Sequence, residues 1–576
     1  MIFEVWAPSA SRVELALRSD RHPMDRNERG WWRVDAGTAR PGDYYGFVLD
    51  GGEPLPDPRS PWQPLGIHGL SRVYDHDEFS WTDSNWRGVS PPGDVIYELH
   101  IGTFTPEGTF EAAIAKLPHL VELGVGAVEL MPVAEFSGDR GWGYDGVDLF
   151  APHHVYGGPH GLKRFVDACH GHGLAAVLDV VYNHLGPDGN HLARFGPYFS
   201  DRHRTPWGEA MNLDGPGSTE VRQFLIDNAL MWLEHYHFDG VRLDAVHALL
   251  DQSAIHFLEE LSEQVEDLKK QLGRSLFLIA ESDLNDPRIV TPRTAGGYGI
   301  NAQWNDDFHH ALHALMTGES SGYYGDFGGI GPVAKTLTDV FMYDGRYSNF
   351  RMRRHGRSAG DLPGTRFVAY LQSHDQIGNR ALGDRSSHLV SFELLKVGAA
   401  LLMTSPMVPM LFMGEEWGTT SPFCYFTDYQ DPGLAAAIRA GRTREFAAFG
   451  WDPGAIPDPQ ASETFELSKL RWDELGEPMH SDLFEWHRSL VALRRSRPEL
   501  TDGRRDLLRV AYDEAERWLV MERGSISVAC NLSNELAVAH LAANRSRTAL
   551  LTSVEPPEIA GDEVRLGPES VTIFST

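Results

Sequence analysis

An α/β fold, a (β/α)8 barrel flanked by N-terminal and C-terminal β-sandwich domains, is what the sequence predicts. Three observations predict it. From residue 95 onward, eight short apolar runs alternate with amphipathic stretches, the pattern of parallel βα units. Those runs are almost continuously apolar, as strands are when both faces are buried. The two ends of the chain carry strand patterning without helices. At roughly 150 residues per domain, 576 residues would make three or four units, or fewer where one is a large barrel.

Residues 1–88 read as a small β-sandwich. Phe3, Val5 and Ala7 alternate with polar or aromatic neighbours, as do Val13, Leu15 and Leu17. YYGFVLDGG ends in a turn signal, and a Pro- and Gly-rich loop follows. The stretch DSNWRGVSPPGD, residues 83–94, marks the boundary, so the barrel is expected over 89–501. Its strand runs are VIYELHIGTF (95–104), AVELMPV (127–133), LAAVLDVVY (174–182), GVRLDAV (240–246), LFLIAES (276–282), the weak AQWN (302–305), RFVAYLQSHD (366–375) and MVPMLFMGEEWG (407–418). Between them lie helical runs such as GLKRFVDACHGHG, TEVRQFLIDNALMWLEHYH and IHFLEELSEQVEDLKKQL, with a short insertion after the third strand. Residues 502–576 return to β patterning. RWLVMER and ISVACNL read as paired strands, and VRLGPESVTIFST as a final hairpin.

Composition excludes several function classes. The apolar share of 42% permits a large core, and a charged share of 23% is ordinary for a globular chain. The net charge of −30 repels phosphate backbones and anionic lipid, so neither a nucleic acid nor a membrane is expected as partner. Three distant cysteines, Cys169, Cys424 and Cys530, form no CxxC pair and suit a reducing compartment. No basic segment followed by an apolar core opens the sequence, and no apolar run is long enough to span a membrane, so a cytoplasmic location is expected.

A barrel places its active site at the C-terminal ends of its strands. Polar residues that end apolar runs are therefore the candidates. Asp179 ends the third strand, followed by Asn183 and His184. Arg242 and Asp244 lie in the fourth, Glu281 ends the fifth, and His374 and Asp375 end the seventh. Arg242 and Asp244 project to one face of their strand, where the guanidinium favours an ionised carboxylate. That suits a nucleophile and equally a structural ion pair. Apolar residues before Glu281 would desolvate its carboxyl and raise its pKa, which suits a general acid; a solvated loop position is the plainer reading. The contiguous Ser373, His374 and Asp375 are no hydrolytic triad, because neighbours on a strand face opposite ways and no GxSxG elbow is present. Acids on several strand ends, with Arg and His between them, match the two-carboxylate scheme for glycoside hydrolysis.

Other features have plainer readings. Histidines 153, 154, 160, 170 and 172 lack HExxH spacing, so no metal is expected. Glu415 and Glu416 are expected in a solvated or capping role. Asn531-Leu-Ser and Asn544-Arg-Ser match the glycosylation pattern, which a cytosolic chain would not use.

Four stretches in order, DVVYNH (179–184), DGVRLDAVH (239–247), Ala280-Glu281-Ser282 and SHDQ (373–376), resemble the four sequence regions of the α-amylase superfamily of glycoside hydrolases. The resemblance covers the barrel. The leading sandwich, with its FEVWAPSA start, is similar to the carbohydrate-associated domain of the branching and trehalose-forming subgroups. VVYNHLGPDGN (180–190), AESDLNDPR (280–288), AQWNDDFHH (302–310) and LQSHDQIGNR (371–380) look like the trehalose-releasing hydrolases. YELHIGTF, WGYDGVDLFAP and FVDACH are also similar to branching enzymes. Those usually carry Trp and Pro in the first region and HDE in the fourth, where this chain has Val180, Tyr182 and Gln376.

The resemblance implies Asp244 as nucleophile, Glu281 as general acid and then base, and Asp375 as the acid that orients ring hydroxyls. It implies that Arg242 holds Asp244 ionised, that His184 and His374 bind sugar hydroxyls, and that Tyr144 offers a stacking face. His247, Asp306, Asp307, His309, His310, Gln376 and Asn379 look like further substrate contacts. Asn183 stands where some relatives place a calcium ligand, without a full ligand set. The implied reaction is a retaining double displacement, its two carboxyls about 5–5.5 Å apart. It would cut the α-1,4 bond next to the trehalose end of a maltooligosaccharide, with no cofactor and in functional pairing with a maltooligosyltrehalose synthase. A glucan branching transferase and a non-catalytic glucan-binding protein are the alternatives.

Overall fold

The structure is a computed structural model that describes residues 1–89, 95–447, 456–542 and 547–575. Eight parallel strands close into a barrel: β1 (Ile96–Leu99), β2 (Ala127–Leu130), β3 (Ala175–Val180), β4 (Gly240–Leu243), β5 (Phe277–Ala280), β6 (Ala302–Trp304), β7 (Phe367–Tyr370) and β8 (Val408–Phe412). Each of the eight apolar runs contains one of them, including the weak sixth.

Alternation along each strand sorts the residues into two cores. Ile96, Ala127, Ala175, Val177, Phe277, Ile279, Ala302, Trp304, Val368, Tyr370, Val408 and Met410 form one buried cluster. Their neighbours Tyr97, Val128, Leu130, Ala176, Leu178, Val241, Leu243, Leu278, Ala280 and Leu411 belong to the larger core shared with the helices. Period 2 puts the first set inside the barrel and the second outside it. Burying each large apolar side chain stabilises the fold by roughly 1.5–3 kcal/mol, so this double layer is the main source of barrel stability.

Helices Gly158–Gly171, Ser218–Glu234 and Phe257–Leu272 follow β2, β3 and β4. Between β5 and β6 the described residues hold only the 3-10 turn Arg293–Ala295. Pro287, Pro292 and the Gly296-Gly297 pair explain this, since they deny a helix its donors or its backbone order. β7 ends at Tyr370 rather than at Asp375. Ser373 caps a short helix, His374–Gly378, by accepting from the Gln376 N–H, so His374 and Asp375 stand in a first helical turn and not on the strand.

The N-terminal strands form a three-stranded and a four-stranded sheet. They dock on helix Ser218–Glu234, where Trp31 Nε1 donates to Glu220 (2.9 Å) and Arg59 pairs with Asp227 (2.7 Å). At the boundary, Trp86 and Val89 pack against the inner barrel cluster. Trp86 stacks on His170 (4.6 Å) and donates to Asp239 (2.7 Å). This end of the boundary is thus a plug under the barrel; residues 90–94 lie outside the described residues.

The C-terminal strands form a five-stranded and a three-stranded sheet. Trp518–Arg523 pairs with Ile526–Asn531 as the sequence predicts. The expected last hairpin does not form. Glu563–Leu566 pairs with Ala537–His540, whereas Ser570–Ser575 pairs with Ile526–Asn531, so the turn between them crosses from one sheet to the other. Buried Asn531 fixes that crossing by donating to the carbonyls of Gly567 (2.7 Å) and Glu535 (2.7 Å), which also removes it from any sugar-attachment role. Asn544 lies outside the described residues. Among the described residues no helix is long and apolar enough to cross a membrane.

Replacing Trp86 by Ala removes the plug and leaves Asp239 short of one donor. The expected loss is about 2–3 kcal/mol of stability, read as a lower midpoint in urea unfolding, with turnover unchanged below the transition.

Candidate active site

The barrel mouth is organised by one buried guanidinium. Arg242, on β4, points inward and is 1% exposed. Its Nη1 lies 2.6 Å from Asp179 Oδ2 and 3.0 Å from Asp244 Oδ1, and its Nη2 lies 2.9 Å from Glu281 Oε2. Its Cζ sits 4.2 Å above the Trp304 ring on β6. A single cation therefore ties together acids from β3 and from the ends of β4 and β5.

Each acid has further partners. Asn183 Nδ2 donates to Asp244 Oδ2 (2.6 Å), and the Tyr144 hydroxyl donates to Asp179 (2.6 Å). The Ala245 N–H donates to Glu281 Oε2 (2.9 Å), from a left-handed backbone with φ of 40° at Ala245. Burial raises the Glu281 pKa, with the negative charge of Asp244 adding to it and Arg242 opposing. Burial pushes Asp179 up to about 7 and Asp306 up to about 8, the latter aided by the charge of Glu281. Asp375 is likewise raised by burial, with His374 opposing. His374 keeps a raised pKa despite its burial, because the β1 carboxylate of Glu98 accepts from its backbone N–H (2.9 Å) and pairs with its ring.

Arg242, Asp244, Glu281, His374 and Asp375 line a cleft of about 700 Å³ that also takes in Tyr144, His184, His247, Asp306 and Asn379. A second compartment of about 540 Å³ shares Trp207, Asp283, Asp306, Asp375 and Asn379 with it, and is lined further by His310 and Gln376. Tyr144 stacks on His374 at 5.1 Å, offering an aromatic face beside the acids. The cleft is thus elongated, rich in hydroxyl-binding groups and floored by carboxylates in different environments.

Two expected substrate contacts are not in the lining. Asp307 is buried and accepts from Asn285 Nδ2 (2.7 Å) and the Tyr343 N–H (2.9 Å), which fixes the loop behind the cleft. His309 is 2% exposed; its ring bonds the Leu371 carbonyl (2.6 Å) and the Tyr324 hydroxyl (3.1 Å). On helix Asp306–Thr317 these two residues turn from the cleft while Asp306 and His310 meet it. Asn183, the position of a calcium ligand elsewhere, has both amide atoms engaged, with Asp244 and with the His184 ring.

Ser373, His374 and Asp375 do not chain into a triad: Ser373 caps the helix, His374 binds Glu98, and Asp375 accepts from Asn379 Nδ2 (2.6 Å). Glu415 and Glu416 are not solvated. Both are buried, Glu416 accepting from the Tyr97 hydroxyl (3.0 Å) and bonding His119 (2.8 Å), and burial pushes Glu415 up to about 8. Of the five histidines, His153 and His154 gather on buried Glu135, close enough to share a cation, but Glu135 already bonds both rings (3.0 and 2.7 Å). His170 bridges Asp83 and Asp239.

The sequence reading missed Trp207, Asp283, Tyr323, Phe350, Arg351 and Arg442, all in the lining. They come from loops and from an outlying helix. Trp207 gave one signal: an aromatic in a polar turn, 51% exposed and stacked at 5.6 Å on His184.

Comparisons with known proteins agree with this geometry. Residues 76–197 match the family model described as alpha amylase, catalytic domain, and residues 503–573 match a domain of unknown function, DUF3459. The malto-oligosyltrehalose trehalohydrolase of Arthrobacter ramosus is 51% identical over 531 residues, covering 91% of this chain and 92% of that protein. The enzyme of the same name from Mycobacterium tuberculosis is 49% identical, covering 99% and 98%. A 1,4-alpha-glucan branching enzyme from Bacillus caldolyticus is 35% identical over 72% of this chain and 64% of its own length. Among solved structures, a candidate alpha amylase from Salmonella typhimurium superposes with a TM-score of 0.91 at 38% identity, covering 100% of this chain and 97% of that one. A pullulanase from Paenibacillus barengoltzii shares the fold, with a TM-score of 0.74 at 19% identity.

The bond from Asn183 to Asp244 fixes the carboxylate within the cleft. Replacing Asn183 by Ala is expected to lower kcat about 10- to 100-fold with an unchanged circular dichroism spectrum, one charge-assisted hydrogen bond being worth about 1.5–3 kcal/mol.

Proposed function

Because this chain belongs to the malto-oligosyltrehalose trehalohydrolase family of α-amylase-type glycosidases, we propose that it hydrolyses the α-1,4-glucosidic bond next to the terminal trehalose of maltooligosyltrehalose, with Asp244, Glu281 and Asp375 as its catalytic acids. The observation that carries the assignment of roles is the shared guanidinium: Arg242 binds Asp244 and Glu281 at once, on the floor of one cleft.

Asp244 attacks the anomeric carbon as the carboxylate, held by Arg242 and Asn183. Glu281 protonates the leaving oxygen. Its raised pKa keeps it protonated to higher pH than an ordinary carboxyl, so it retains a proton to give. Once Asp244 is esterified by the sugar, its negative charge is gone. One cause of the raised Glu281 pKa then disappears, and Glu281 becomes a better base for activating the water that releases the sugar. Asp375, beside His374, binds ring hydroxyls more tightly in the flattened transition state. Water enters as acceptor in place of a second glucan chain, which separates this activity from branching. No metal or organic cofactor takes part in the scheme. The enzyme acts in the cytoplasm, after a maltooligosyltrehalose synthase has supplied its substrate.

The test is product analysis of maltotriosyltrehalose beside a maltooligosaccharide of equal length. Fast release of trehalose from the first and slow cleavage of the second is expected; equal cleavage, or branched product from amylose, would overturn the specificity. Asp244→Ala and Glu281→Gln should each lower kcat by several orders of magnitude, and near wild-type turnover in either refutes its role. The pH dependence follows from the same charges. kcat/KM should fall on the alkaline side as Glu281 loses its proton, at a pH above the ordinary carboxyl range. An alkaline limb that persists in Glu281→Gln would assign it to another group.

A further inference from the structure

One wall of the cleft belongs to a helix outside the barrel's regular βα pattern. Helix Pro432–Ala447, after β8, starts with Asp431 accepting from the Leu434 N–H (2.8 Å). Its sequence, PGLAAAIRAGRTREFA, has little apolar face: Ala435 is buried, while Ala436, Ala437, Arg439, Ala440 and Thr443 are exposed. Such a helix forms by alanine propensity rather than by burying a broad apolar face. Ala437, Ile438, Gly441 and Arg442 nevertheless line the cleft that contains Asp244, Glu281 and Asp375.

Arg442 makes the connection. Its Nη2 donates to the Gly378 carbonyl (2.7 Å), and its Nη1 donates to Asn379 Oδ1 (3.2 Å). Asn379 in turn donates from Nδ2 to Asp375 Oδ1 (2.6 Å). Its guanidinium also lies 4.9 Å over the Tyr425 ring, another residue of the lining. The planar fork suits this double task, one nitrogen on the helix backbone and another on a side-chain oxygen. By occupying Asn379 Oδ1, Arg442 fixes which way the amide faces, and so presents its N–H to the carboxylate.

We propose that Arg442 is a positioning residue for the hydrolysis, coupling the roof helix Pro432–Ala447 to the orientation of Asp375 through Asn379. This rests on Asp375 being a catalytic acid. With Arg442 in place the relay is complete and Asp375 is aimed; without it, Asn379 is free to turn and the acid loses its aim.

The test is steady-state kinetics of Arg442→Ala, Arg442→Lys, Asn379→Ala, the double variant Arg442→Ala/Asn379→Ala and Asp375→Asn on maltotriosyltrehalose. Arg442→Ala is expected to lower kcat about 10-fold with little change in KM, and Arg442→Lys, which can reach one of the two acceptors, to restore part of it. The double variant should be no slower than Asn379→Ala, because both act on one carboxylate. A rise in KM with kcat unchanged would overturn the proposal and make Arg442 a sugar contact; additive losses in the double variant would overturn it as well. Asp375→Asn separates this proposal from its premise. Near wild-type turnover there removes the premise, whereas an inactive Asp375→Asn beside a fully active Arg442→Ala removes the relay alone.

Discussion

The charge of Arg242 is the constraint on which the site depends. A guanidinium removed from water inside a barrel costs several kcal/mol unless it is paired, and leaving its partners unpaired costs about as much. The barrel meets the need by bringing Asp179, Asp244 and Glu281 to it from three successive strands. Parallel register makes this possible, since Asp179 stands opposite Arg242 and Arg242 opposite Ile279, so the strand ends rise together around the axis. The geometry of the mouth and the closure of the barrel are therefore one requirement. A shift of one residue in β4 would turn Arg242 out of the barrel and strand three acids.

The flanking domains support that arrangement from outside by matching the ends of barrel helices. Glu514, in the C-terminal domain, accepts from the N–H groups of Ile330 (3.0 Å) and Gly331 (2.8 Å), at the start of helix Ile330–Asp339. Arg505 donates to the carbonyl of Thr338 (3.0 Å), at the other end of the same helix. An anion at the N-terminus and a cation at the C-terminus each oppose the helix dipole, so the domain grips the helix by both poles. Beyond that helix runs the segment that brings Phe350 and Arg351 to the second compartment of the cleft. The docking of a domain that never touches the cleft thus fixes part of its wall.

The fold was legible because its signals are local. Eight apolar runs, even the three-residue β6, survive in a sequence read without contacts, since burial on both faces leaves no other composition. The acids were legible for a related reason: a charged residue ending an apolar run is out of place unless something pairs it. Asp307 and His309 misled because they share a helix with Asp306 and His310. A 3.6-residue period sends neighbours to different faces, and nothing in DDFHH says which face meets the cleft. The last hairpin misled because a turn signal fixes a reversal, not the sheet to which the returning strand belongs. Phe350 and Arg442 were out of reach, since loops and an outlying helix gather at the mouth only after the barrel closes.

The acids of the mouth also differ in their surroundings, and burial acts on them unequally. Glu129 on β2 faces the barrel interior with both oxygens buried and unbonded among the described residues, and burial together with the nearby charge of Glu98 raises its pKa far above the ordinary range. Glu98 differs because the backbone and ring of His374 meet its carboxylate. Two glutamates on adjacent strands, paired in register, thus sit in different surroundings, one meeting donors and the other none among the described residues. At the rim Asp306, which accepts from the Tyr370 phenol and from the Gln376 amide (3.5 Å), is pushed by burial up to about 8. Burial is thus the first cause of each raised carboxyl at this rim, and the charges beside it adjust the rise: Arg242 opposes it at Asp179 and Glu281, while a neighbouring acid adds to it at Asp179, Glu281 and Asp306.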